Sequence, residues 1–150
     1  MIAFRTCKVR YDPWDGTGAA LIGGRWNSPG RAVIYAADSF PGSLLEILAH
    51  TLTPRTLPGR HHAARLDIGD DLVEDLDPAA LPGWYQRDSP EARSFGDQWL
   101  EEARTPALAV PALPSRPIGR VVLINPVHPD AARITRGATF AVPWDERLFQ

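Results

Sequence analysis

Chemistry in this chain would come most readily from the stretch Gly23-Gly24-Arg25-Trp26-Asn27-Ser28-Pro29-Gly30. Paired glycines let backbone approach a ligand closely, and a guanidinium beside them offers a planar fork of donors matched to phosphate or carboxylate. The same residues also fit a plain glycine turn with a solvated arginine and a tryptophan packed on the core. Further on, Tyr35 stands inside the apolar run Ala32-Val33-Ile34-Tyr35-Ala36. Its hydroxyl must either be bonded internally or open onto a cleft. Glu46 lies in Leu44-Leu45-Glu46-Ile47-Leu48-Ala49 with apolar residues on both sides. Its carboxylate either looks outward, with His50 one turn later as a neighbour, or faces a pocket.

Other chemistries lack their residues. His61 and His62 fall at the start of an expected strand, which sends their rings to opposite faces and disfavours joint metal binding. His50 and His128 have no cysteine or carboxylate at ligand spacing, and Cys7 is the single cysteine, so neither a metal site nor an internal disulfide is expected. No serine sits in the Gly-x-Ser-x-Gly frame of a hydrolase elbow, and no glycine-rich dinucleotide or phosphate loop of the usual kinds is present.

The elements that must carry these residues can be read from punctuation and period. Ile2 to Cys7 forms a first strand, and the turn-rich Asp12 to Gly18 opens a long loop that ends in Gly23 to Asn27. Ala32 to Ala36 reads as a buried strand. A helix follows, capped by Ser39 with Pro41 in its first turn, an apolar stripe at Leu44, Leu45, Leu48 and Leu52, and an end at Pro54. Ala63 to Ile68 is another strand, and residues 69 to 87 have too little periodicity to order. Ser89-Pro90-Glu91 starts a second helix with Ala92, Phe95, Trp99 and Ala103 near one face. Ala107 to Val110, Val121 to Ile124 and Thr139 to Val142 complete the strands. Strands and helices mix without strict alternation, which predicts an α+β fold with short strands and two main helices.

Composition sets the outer limits. The 150 residues suit one compact domain over 1–150. Sixteen basic and eighteen acidic residues are spread along the chain to give a net charge of −2, so no basic block predicts direct nucleic-acid binding. The N-terminus has no apolar core of signal-peptide length and no stretch approaches the roughly 20 apolar residues that span a bilayer. A reducing, cytoplasmic setting without membrane attachment is the expectation.

Taken in order, Gly23-Gly24-Arg25-Trp26-Asn27, Gly30, Val33-Ile34-Tyr35-Ala36-Ala37 and Leu45-Glu46-Ile47-Leu48-Ala49-His50 resemble the RES domain, the toxin half of bacterial RES–Xre toxin–antitoxin pairs. The later pieces Leu108-Ala109-Val110-Pro111, Val122-Leu123-Ile124-Asn125-Pro126-Val127-His128-Pro129-Asp130 and Trp144-Asp145-Glu146-Arg147-Leu148-Phe149 resemble that family's C-terminal half. The family is named for an arginine, a glutamate and a serine. The first two carry over to Arg25 and Glu46. Where the family places its serine after a Val-Pro pair this chain has Ala112, so Ser115 takes the role after a local shift, Asn125 takes it, or it is dispensable.

The resemblance implies a fold similar to ADP-ribosyltransferases and a toxin that consumes NAD by cutting its nicotinamide–ribose bond. NAD is then a substrate and no cofactor is retained. ADP-ribose would pass to water or inorganic phosphate, or alternatively to a protein. Cleavage builds oxocarbenium character on the ribose, and a carboxylate against that sugar favours the transition state over the ground state. The resemblance gives Glu46 that role, Arg25 a hold on pyrophosphate or ribose, and Tyr35 a place against nicotinamide. Gly24, Trp26, Asn27, Ser115 and Asn125 would join in binding NAD. The implied partner is an Xre-family antitoxin, with which the chain would form an oligomer. A non-catalytic nucleotide-binding partner module is the reading from another class, kept open by Ala112.

Overall fold

The computed structural model describes residues 1–51 and 53–150. The strands are β1 (Ile2–Lys8), β2 (Ile34–Ala37), β3 (His61–Asp67), β4 (Val73–Asp75), β5 (Ala107–Pro111), β6 (Arg120–Ile124), β7 (Thr135–Arg136) and β8 (Phe140–Ala141); short apolar runs form most of them, while β4 and β7 are largely polar pieces at the two ends of the sheet. They make one sheet in the order β4-β5-β6-β2-β1-β3-β7, with β8 also paired to β3. Only β4 and β5 run parallel; the other pairs are antiparallel. The α+β expectation holds.

Side chains alternate across the pleat, so each central strand feeds two cores. Leu108, Val110, Val121 and Leu123 bury one face together with Trp26, Trp84 and Trp99. Ile34, Ala36, Val122, Ile124 and Leu66 bury the other. Tyr35, opposite Leu123 in the ladder, packs on the tryptophan face. The register of β2 against β6 therefore decides that the Tyr35 ring lies on the same side as Trp26.

Among the described residues three α-helices flank the sheet: α1 (Thr17–Ile22), α2 (Phe40–Ala49) and α3 (Pro90–Glu102). The single long loop expected before Gly23 is interrupted by α1. Its N-cap is Gly16, and Asp15 just before accepts from the Thr17 N–H at 2.8 Å in a local turn; so short a helix displays no periodicity to read. Ser39 caps α2 through the Gly42 N–H at 3.1 Å, and Ser89 caps α3 through the Ala92 N–H at 3.1 Å, both as the sequence predicts.

Two expectations about α2 are corrected. The helix stops at Ala49 with His50 as its C-terminal cap, well before Pro54. Its leucines do not form the buried stripe: Leu44 and Leu48 are half-buried and Leu45 is 41% exposed, while Leu52 lies outside the described residues. The buried residues are Gly42 and Ser43, small enough to bring the helix close to the sheet, where Ser43 Oγ and Thr6 Oγ1 share a hydrogen bond of 2.7 Å. At helical spacing the stripe that begins at Ser43 continues through Glu46 to His50.

Candidate functional site

Four residues tie the arginine-bearing turn into a knot. The Gly24 N–H donates to the Asn27 carbonyl at 2.9 Å. Asn27 is fully buried; its amide donates to the carbonyls of Ala19 and Arg31 at 2.9 and 3.0 Å, and its Oδ1 accepts from the Tyr35 hydroxyl at 2.6 Å. That hydroxyl also accepts from the Trp26 N–H at 3.2 Å. Glycine is required at 24 because a Cβ there would stand 2.6 Å from the Tyr35 oxygen. From the other side, Gly96 of α3 lies directly against the Trp26 carbonyl, and Asp97 accepts from the Ser28 N–H at 2.8 Å and from its hydroxyl at 2.5 Å. With Trp26 and Asn27 turned inward, Arg25 just before them projects out of the knot.

The Arg25 guanidinium reaches across to a segment about sixty residues away. Nη1 donates to the carbonyls of Trp84 at 2.8 Å and Gln86 at 2.5 Å, and Nη2 approaches that of Arg87 at 3.5 Å. Trp84 is itself buried in the core, so the segment is anchored at one end by a ring and along its length by Arg25. Between turn and segment opens a cavity of about 570 Å³, walled by Gly23, Gly24, Arg25, His50, Arg87 and Arg93 among others. Asp88 is the one acidic residue on that wall.

Glu46 is not on the wall itself; it lies half-buried one turn before His50, which is, and near enough to Arg25 for their charges to interact. His50 Nδ1 lies 2.7 Å from the Glu46 carbonyl, which can only accept, so Nδ1 is the donor. Burial pushes the Glu46 carboxyl above its ordinary range, while the positive charges of His50 and Arg25 pull it back. Burial likewise lowers Arg25 from its ordinary value against the pull of Glu46 and Asp88. Burial also drives the Tyr35 phenol up to about 12, so it stays a neutral donor across the physiological range.

The structure thus brings Gly24, Arg25, Tyr35, Asn27 and Glu46 into one neighbourhood, in unequal positions. Gly24, Arg25 and Asn27 belong to the cavity wall, although Asn27 presents no accessible surface. Trp26 is 1% exposed, in the core, and the Tyr35 hydroxyl is spent on the turn. Ser115 and Asn125 are not on the wall. Ser115 packs against Gly119 in the loop after β5, whose Arg116 places its charge near Arg25. Asn125, 2% exposed at the end of β6, accepts from the Val127 N–H at 3.2 Å. Residue patterning passed over Arg87, Asp88 and Arg93; the one available signal was the arginine in the first turns of the helix started by Ser89-Pro90. Among the described residues, no three His, Cys, Asp or Glu side chains gather as a metal site.

This architecture has known counterparts. It superposes with a TM-score of 0.76 on a chain of the M. tuberculosis MbcT-MbcA toxin-antitoxin complex, covering 99% of this chain and 86% of that one at 23% identity, which is a likeness of fold. In sequence the chain is 35% identical over 141 residues to "Toxin Res" of Pseudomonas putida, covering 93% of this chain and 94% of the relative. It is 37% identical over 144 residues to "Prs ADP-ribosylating toxin" of Sphingobium sp., covering 93% and 88%. The RES domain model matches residues 2–145, a span that takes in the knotted turn, α2 and the 84–93 wall together, and the chain belongs to the RES domain family.

Proposed function

We propose that this chain is a toxin that consumes NAD by breaking the bond between nicotinamide and ribose. The observation that carries the reading is a half-buried carboxylate, Glu46, beside a cavity whose wall bears Arg25, Arg87, Arg93 and His50. NAD needs both halves of that arrangement: positive charge for its pyrophosphate and a negative group for the cation that develops on ribose. A carboxylate already partly removed from water interacts more strongly with that cation than a solvated one would. The departing nicotinamide becomes neutral, so no proton need be delivered to it. Tyr35 contributes by holding the turn that carries Arg25. The toxin relatives in Pseudomonas putida and Sphingobium support the reading, the latter being an ADP-ribosylating toxin by name.

The acceptor of ADP-ribose is water or inorganic phosphate in this reading. The Sphingobium relative's name favours a second one, transfer to a protein, at 37% identity over 144 residues. Purified protein incubated with NAD, with and without phosphate, should release nicotinamide; label from NAD appearing on a protein band marks the transferase. Absence of nicotinamide release under every acceptor, from folded protein, defeats the proposal. Glu46→Gln should abolish release while keeping the fold. An antitoxin, of the Xre family in this reading, would hold the chain inactive, in keeping with the toxin-antitoxin complex that shares its fold.

A further inference from the structure

Arg25 is poorly placed to be the phosphate ligand that its type suits. A guanidinium has five N–H donors, and three contacts of Arg25 already go to the carbonyls of Trp84, Gln86 and Arg87. What those bonds accomplish is the placement of the segment carrying Arg87 and Asp88. Arg87 is exposed on the cavity wall and makes no ion pair among the described residues. Arg93 projects to the same wall from the start of α3, with Ser89, the cap of that helix, between the two arginines. Its one ionic partner among the described residues is Asp88, at 2.8 Å, with side chains 37% and 76% exposed. An ion pair that open to water contributes little and is readily exchanged for a better anion.

We infer that Arg87 and Arg93 together clamp the pyrophosphate of the dinucleotide, that Asp88 competes for Arg93 when the site is empty, and that Arg25 is the positioning residue that holds this clamp in place. The inference rests on the NAD reading above. A diphosphate carries charge on both phosphoryl groups, and two forks from opposite ends of one helix start can take one each. Asp88 sets the affinity by offering Arg93 an internal carboxylate and by adding negative charge where the pyrophosphate would lie. It is the single acid on that wall, so its effect on an anion is not shared with others.

The test combines steady-state nicotinamide release from NAD with calorimetry using ADP-ribose, which keeps the pyrophosphate, and nicotinamide riboside, which lacks it. Arg87→Ala and Arg93→Ala should each raise KM for NAD and Kd for ADP-ribose by about tenfold or more, since a charge-assisted bond to phosphate is lost. Both should leave kcat within about threefold and the affinity for nicotinamide riboside unchanged. Arg93→Lys should recover part of the loss, and Asp88→Asn should lower both KM and Kd. Arg25→Lys, which keeps the charge but not the fork, should lower kcat and raise KM together because the wall itself shifts. Wild-type KM in folded Arg87→Ala and Arg93→Ala proteins that turn NAD over overturns the clamp, as does weaker ADP-ribose binding in Asp88→Asn. If the wild type binds ADP-ribose with this arginine dependence yet releases no nicotinamide, the clamp stands and the catalytic reading falls.

Discussion

The Tyr35 hydroxyl donates to Asn27 Oδ1 at 2.6 Å, across eight residues of chain, and its own oxygen accepts from the Trp26 N–H at 3.2 Å. One phenol on β2 therefore fixes both residues that follow Arg25. Its geometry explains why the turn needs a tyrosine from the sheet and a glycine at 24, and it makes the direction of the Arg25 side chain a consequence of strand register.

Tyr35→Phe removes that strut while preserving the ring. Asn27 Oδ1 and the Trp26 N–H are then left without their partner in the interior, at a cost of about 1–3 kcal/mol. Thermal denaturation should show a Tm lowered by several degrees, and NAD turnover should fall because the Arg25 turn loosens. With the phenol held near 12, the wild-type and Phe profiles should have the same shape between about pH 6 and 9. An alkaline limb in that range that vanishes on substitution would show the phenol titrating there and refute this role.

Gly96→Ala opposes helix propensity to tertiary contact. In an exposed helix the change would stabilise by about 1 kcal/mol. Here an added methyl would run into the Trp26 carbonyl, a backbone atom held by the knot on both sides. Overpacking against atoms that cannot turn away costs about 3 kcal/mol or more, so the tertiary effect wins. Urea denaturation should report a net loss, and a midpoint equal to or above wild type would contradict the close approach of α3.

Of these two positions Tyr35 was legible in the sequence, whereas the close approach at Gly96 was not. Gly24, Arg25, Tyr35 and Glu46 stood out because each is an awkward residue for its setting, and six of the eight described strands could be read from apolar runs between turn residues; β4 fell in a stretch with no ordered pattern, and β7 is two polar residues, too short to show one. What patterning could not convey was direction. Leucines at 44, 45 and 48 outweigh Ser43 and Glu46 in any count of apolar period, yet α2 meets the sheet through Gly42 and Ser43 because small residues allow the closer approach. Arg87 was hidden for another reason: its segment has no period and is positioned by an arginine about sixty residues earlier, while Arg93 lies on a legible helix whose period does not say that it faces a cavity. Trp26 and Asn27, expected at the ligand by resemblance, are buried because the hydrogen bonds of the turn need them there.

Asp97 is the second tether of the turn. It accepts from the Ser28 backbone and hydroxyl and lies 3.6 Å from Arg31 Nε, with its own side chain 19% exposed. Asp97→Ala should cost about 2 kcal/mol through the loss of charge-assisted bonds and the stranded Ser28 N–H. Asp97→Asn keeps one acceptor for that N–H and should restore part of the loss in a urea titration. Equal stability of the Ala and Asn proteins would mean that the carboxylate's bonds to Ser28 do not hold the turn.

Glu46 connects stability to activity through its proton. Burial raises its folded value above the ordinary 4.5, so the folded protein holds this proton more tightly than the unfolded chain does. The associated stabilisation is fully present below the ordinary value and is lost as pH rises through the raised folded value. Glu46→Gln cannot ionise and escapes that loss. The variant should therefore gain on wild type in Tm as pH rises above 4.5 and be the more stable protein near neutrality, while releasing no nicotinamide. For wild type the acid limb of kcat should lie above 4.5, since the ionised carboxylate is the working form. A variant that is less stable than wild type at pH 7 to 8 would mean that the charge of Glu46 is stabilised by His50 and Arg25 more than burial penalises it, reversing the balance of forces at the site.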